Sequence, residues 1–181
     1  MELEIRRHDW AALSSAYGNS PLLPEVVRDL RSAASRADAE FALRRLEQVL
    51  PELDEVSIAA ASVLVHALWG CGPFSLDLVL GALAELAAGC LRGEAPAAIG
   101  QAVLQEVCHG FAAYVEIAES TGVDDCRTAC IDLIAACGGA EPVLRARAAH
   151  FLGALLELDG FVRYQELIEA SIAELRAASG E

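Results

Sequence analysis

Cys126 and Cys130 stand one helical turn apart, and Cys108, His109, Cys137 and His150 fall in neighbouring helical stretches. Thiolates and imidazoles are zinc ligands when four of them converge. None of the six cysteines forms the tight C-x-x-C pair of most structural zinc sites. Small apolar thiols also fill gaps between alanine-rich helices. That is the expectation here, with no metal and no cofactor. His66 has the chemistry of a general base, which needs a carboxylate or nucleophile in reach. It lies in the most apolar stretch of the chain without an identifiable partner, and reads as a hydrogen-bonded core histidine. His8-Asp9 reads as a helix entry and His150 as a packing position. Glu116 and Glu119, three apart, have the spacing of paired carboxylates and equally of a solvated helix face. Asp124-Asp125 would suit a cation or a helix N-cap, and the cap needs no ligand. No glycine-rich phosphate loop, G-x-S-x-G elbow or H-E-x-x-H pair occurs. No residue set reads as catalytic.

The elements that carry these residues read as helices. The 181 residues are 55% hydrophobic but only 6% aromatic, and alanine and leucine, both strong helix formers, supply most of the apolar mass. β-Branched residues never alternate over a strand length. Nine helices are expected: Trp10 to about Tyr17 behind an Asp9 cap, then one capped by Asn19 or Ser20 with the face Leu23, Val26, Val27 and Leu30. A third spans about Arg36 to Leu50, with the stripe Ala39, Leu43, Leu46 and Leu50 and a Glu40–Arg44 pair at i,i+4. The fourth, Val56 to Trp69, is apolar on nearly all sides and should be buried between neighbours. Then follow Phe74–Leu91, a long helix from Ala97 to Glu119 with a bend at Gly110, and Asp124–Cys137, stopped by Gly138-Gly139. Glu141-Pro142 opens the eighth, which ends near Gly160, and the ninth spans Val162–Ala178. Short loops make these antiparallel neighbours in one domain, 1–181, a solenoid-like array of helical pairs.

Charge narrows the partner. Twenty-seven acids oppose 13 bases, all arginine, for a net charge of -14. Phosphate contacts need a cationic surface, so nucleic acid is not the expected ligand, nor is an anionic membrane. A basic protein is favoured, although the same sign also serves solubility. Unpaired cysteines, the lack of an apolar leader after Met1 and the charges that interrupt each apolar run lead to a cytoplasmic expectation.

Two stretches resemble a known family. Asp124-Asp125-Cys126-Arg127 and Glu141-Pro142-Val143-Leu144-Arg145 each set an acid before a helix and an arginine in its first turn, followed by Ala148, Ala149 and Gly153. This resembles the HEAT-type repeat. Asp9-Trp10-Ala11-Ala12-Leu13, Leu23-Pro24, Arg44-Arg45-Leu46 and Leu68-Trp69 resemble the small HEAT-like proteins of GC-rich bacteria, some of which are thought to be toxin immunity proteins. The resemblance implies an all-α superhelix of stacked hairpins that binds a protein without catalysis, its first-turn arginines reaching acids on adjacent turns. The HEAT-like DNA glycosylases hold DNA on a basic face, which this acidic chain does not offer.

The expected action is occlusion of a basic toxin domain, with scaffolding through the same surface as the alternative and, behind both, a HEAT-like accessory enzyme with a pocket in the concavity. The acids expected to meet the partner are Glu40, Glu47, Glu52, Asp54 and Glu55, with Asp77, Glu116, Glu119, Asp124 and Asp125 further along. Trp10, Tyr17, Trp69, Tyr114 and Tyr164 are candidate aromatic anchors.

Overall fold

Residues 1–13 and 20–178 are described by a computed structural model. The expected Tyr17 anchor, Asn19 cap and Gly18 stop lie outside them. Among the described residues there are ten α-helices and no strand: α1 Glu2–Arg7, α2 Leu23–Arg31, α3 Arg36–Val49, α4 Glu55–Ala67, α5 Leu76–Leu91, α6 Ala97–Cys108, α7 Phe111–Ser120, α8 Asp124–Ala140, α9 Pro142–Leu155 and α10 Gln165–Ala177. Short 3-10 turns occupy Ser20–Leu22, Leu68–Gly70 and Asp159–Tyr164.

Local chemistry sets most of these bounds. Ser35 accepts from the Asp38 amide at 3.2 Å to start α3. Asp54 accepts from the Val56 amide at 2.9 Å, and Ser57 Oγ accepts from the Asp54 amide at 3.2 Å, a reciprocal box that starts α4. The helix α5 ends on Gly93, whose φ of 75° suits a residue without Cβ. There the Gly93 amide donates to Cys90 O at 3.1 Å and the Glu94 amide to Gly89 O at 3.0 Å, closing the last turn. Asp54→Ala is expected to cost about 1 kcal/mol of folding stability through loss of the cap, read as the shift in denaturant midpoint at constant slope.

Several boundaries differ from the periodicity reading, among them the end of α9 at Leu155 and not near Gly160, and the start of α10 at Gln165, with Val162 in the preceding 3-10 turn. The first helix is α1, which carries Glu2 and Glu4 in its first turn and Arg6 and Arg7 in its last, as the helix dipole favours. Trp10–Ala12 form only a turn, and the Trp10 indole donates to Ile5 O at 2.7 Å, folding back over α1. The chain also breaks between α6 and α7 where a bend is expected. The Tyr114 hydroxyl donates to Val107 O at 2.9 Å and fills the space beside Gly110 that a side chain would need. Phe74 lies before α5, in a turn closed by the Ser75 and Leu76 amides on Gly72 O. Finally, α8 continues through Gly138 and Gly139. A Cβ on Gly138 would lie 2.6 Å from Ala148 Cβ and 2.9 Å from Leu175 Cδ2, so this glycine is a packing position and not a stop.

The packing follows from the apolar faces. In α2 Leu23, Val26, Val27 and Leu30 are all buried, as their spacing predicts. All but Glu55, Ile58 and His66 are buried in α4, as an all-round apolar helix requires. The even-numbered helices form a row, α2 on α4, α4 on α6, α6 on α8 and α8 on α10. Against the inner helix α8 also pack α5, α7 and α9. Buried apolar residues from Ile5 to Leu175 form one contiguous core. Between α3 and α5 the packing is open. The two helices run parallel, joined at their starts by Arg36–Asp77 at 2.5 Å and approaching again where Leu53, just past α3, meets Gly89 of α5.

Candidate partner-binding cleft

Parallel walls joined only near their ends leave a cleft of about 910 Å³ between α3 and α5, floored by α4. Leu43 and Leu46 come from α3 and Leu50 from its C-cap, Leu78, Ala82 and Leu86 from α5, and Leu64 from α4. Leu43 and Leu50, expected in the core, are half-buried here and face the opening. The α3 core contacts come instead from Ala39, Ala42, Leu46 and Val49. A stripe wider than the core contact lets one helix serve both the interior and the groove.

Seven carboxylates and two guanidinium groups line the cleft. Some are neutralised internally. Asp77, whose side chain is only 8% exposed, is held by Arg36, and Arg36 also donates to Glu40 at 3.1 Å. The Asp77 hydrogen bond, working against desolvation, holds the Arg36 guanidinium above its ordinary pKa. Arg92 donates to Glu94 at 2.6 Å and holds that carboxyl below its usual range. Glu47, Glu52, Glu85 and Asp125 have no ion-pair partner among the described residues. The result is an apolar trough rimmed by uncompensated negative charge.

Of the ten expected acids, this geometry brings together Glu47, Glu52, Asp54, Asp77 and Asp125. Asp54 and Asp77 are not the free exposed acids expected, because the first is spent on the α4 cap and the second on Arg36. Glu40 lines no part of the cleft, and it pairs with Arg36 and not with Arg44. Glu55 is exposed in the first turn of α4. Glu119 lines a separate, smaller hollow beside Phe151, and Glu116 is exposed on the same helix. Asp124 is not an N-cap. It is the first residue of α8, bound to Arg163 and 3.2 Å from the Tyr164 hydroxyl, and so ties α8 to the turn before α10.

Sequence reading missed Glu85 and Glu94. The signal was present in α5, where Leu78, Gly81, Ala82, Glu85, Leu86 and Gly89 lie on one face at helical spacing. Among the aromatic candidates, Trp69 is 68% exposed, Tyr114 is fully buried, and Trp10 and Tyr164 are occupied in internal hydrogen bonds. Among the described residues Arg145 reaches no acid. It donates to Gly138 O at 3.4 Å and to Ala178 O at 2.9 Å, tying together the ends of α8 and α10.

The other residues with chemical capacity have structural surroundings. Glu4 supplies the carboxylate near His66 that sequence did not reveal, at 3.9 Å, with His8 at 3.4 Å and Arg7 at 2.8 Å. His8 follows the last turn of α1, a helix exit and not an entry, and His66 is exposed while contacting Ser62 O at 2.9 Å. The Ser62 hydroxyl, buried in α4, donates to Glu4 at 2.6 Å. Burial opposes ionisation of Glu4, but Ser62, Arg7, His66 and His8 outweigh it and hold the carboxyl below the ordinary 4.5. A depressed folded pKa adds stability above the unfolded value, which is lost as pH falls through about 4.5 and below. Glu4→Gln should therefore cost stability at pH 7, and the difference from the parent in thermal scans should shrink as pH falls below the ordinary 4.5 and through the lowered folded value.

No three His, Cys, Asp or Glu residues among those described are grouped to hold a metal ion. Burial pushes the Cys130 thiol to about 12, and the Cys108 hydrogen bond with burial pushes Cys137 up strongly. Thiols so placed remain protonated at neutral pH. No helix among the described residues is long and apolar enough to cross a membrane.

The fold and cleft define an all-helical protein with an acid-rimmed apolar groove. Comparison with protein-family models, with curated proteins and with solved structures gives no match for the chain.

Proposed function

We propose that this chain is a binding module that docks a cationic protein surface against the α3–α5 cleft and performs no reaction of its own. The observation that carries the reading is the ring of unpaired carboxylates, Glu47, Glu52, Glu85 and Asp125, around an apolar trough. Carboxylates at a rim steer a basic partner and set its register, while the apolar floor supplies the area that holds it. The parallel α3–α5 pair and the row of even-numbered helices fit a solenoid of stacked hairpins, with the cleft along one side. In its sharpest form the partner is a toxin whose basic active-site surface is covered, the carboxylates standing where substrate phosphates would bind. A scaffold joining cellular proteins is the other form of the same binding.

The test is affinity capture from the source organism with the parent chain and with the Glu47→Lys/Glu52→Lys/Glu85→Lys variant. A basic protein retained by the first and lost by the second is the expected result. A partner kept equally by both, or one with an acidic contact surface, overturns the reading. Co-expression with the captured partner separates the two forms. Relief of its toxicity marks immunity, and its absence marks a scaffold.

A further inference from the structure

We infer that the occupant of the α3–α5 cleft is a cationic amphipathic α-helix of about two to three turns. This rests on the cationic-partner reading above and adds the conformation and pattern of what enters. The cleft lies along α5 from Asp77 to Gly89, a span of about 18 Å at the helical rise. Its volume of about 910 Å³ matches roughly eight residues of a helix about 10 Å across. Both walls are single helix faces, Leu43–Glu47–Leu50 on α3 and Leu78–Ala82–Glu85 on α5, each at i,i+4,i+7 or i,i+3 steps. Such faces present ridges that receive the ridges of a third helix. On α5, nothing lies within 4 Å of where a Gly81 side chain would start. A backbone can therefore approach closely there.

An extended segment fits less well for a physical reason. A strand needs partners for its amides and carbonyls once buried, and the described residues contain no strand whose edge could supply them. A helix satisfies its own backbone and needs only side-chain complementarity. Charge then fixes the pattern. Asp125 and the Arg36–Asp77 pair line the same cleft, Glu47 stands on the α3 wall and Glu85 on the α5 wall, and Glu52 lies beyond the end of α3. Leucine-type anchors would point down between the walls, with lysine or arginine on both flanks.

The probe is a labelled peptide of about 14 residues, leucine at i, i+3, i+4 and i+7 and lysine elsewhere, titrated into the full chain by fluorescence anisotropy. A scrambled isomer of the same composition and an analogue with glutamate for lysine accompany it, and Gly81→Leu fills the open space on α5. The amphipathic cationic peptide should bind at least about tenfold tighter than either control and lose at least about tenfold on Gly81→Leu, whose fold is checked by its melting curve. Equal binding of the scrambled isomer, or unchanged binding to Gly81→Leu, overturns the helical occupant while leaving the cationic-partner reading intact. Equal binding of the glutamate analogue, or no binding of either cationic peptide, overturns both.

Discussion

The Glu47→Lys/Glu52→Lys/Glu85→Lys variant is expected to bind the cationic amphipathic peptide roughly a hundredfold more weakly than the parent. All three carboxylates are exposed at the cleft mouth and have no internal ion pair, so their replacement leaves no buried partner orphaned. An exposed pair contributes about 0.2–1 kcal/mol, and reversal exchanges attraction for repulsion of similar size. Three positions together give about 3 kcal/mol, which is the hundredfold. Much of the loss should lie in the association rate, because rim charges act chiefly on encounter. Salt supplies the second reading. At about 0.5 M the screening length falls to roughly 4 Å, and parent and variant should approach one another. Binding by the parent that does not change with salt would remove the electrostatic part of the mechanism. Melting curves of the two proteins should coincide within a few degrees, which separates lost binding from lost structure.

Gly138→Val is expected to cost about 2–3 kcal/mol, against an effect within about 0.5 kcal/mol for Gly139→Val. The two glycines are adjacent in α8, and their surroundings are opposite. A Cβ at 138 would overlap Ala148 of α9 and crowd Leu175 of α10, whereas one at 139 meets nothing within 4 Å. The contact at 138 involves Ala148 Cβ, which is fixed to its backbone, so relief requires α9 to move. Because α8 packs against α5, α6, α7, α9 and α10, such a shift spreads through the core. The melting temperature should fall by about 4–12 °C for the first variant and scarcely change for the second. Similar losses at both positions would mean that glycine there serves chain flexibility and not helix approach.

Some of this was legible in the residues alone. The buried face of α2 and the near-total burial of α4 are consequences of apolar spacing, which acts within one or two turns, whereas at Gly110 the residues indicate a bend and the chain breaks into two helices. Half of the expected acids do border the cleft, three of them, Glu47, Glu52 and Asp54, from the end of α3 and the loop after it. Other positions depended on distant neighbours. Asp77 is a carboxylate with the same chemistry as Glu47, and only the arrival of Arg36, 41 residues earlier, makes one a structural tie and leaves the other free.

The sequence by itself determined that the chain is helical, where α3, α4, α6, α8 and α9 start, and that its surface is negative. Those properties follow from local propensity, capping and composition. The tertiary structure alone decided which leucines of α3 enter the core and which line a groove, that Gly138 is a contact and not a stop, and that Glu85 lines the same cleft as Glu47. Periodicity shows that a helix face is apolar, but the object packed against that face is set by helices far away in the chain. A face left partly uncovered has the same pattern as one that is buried.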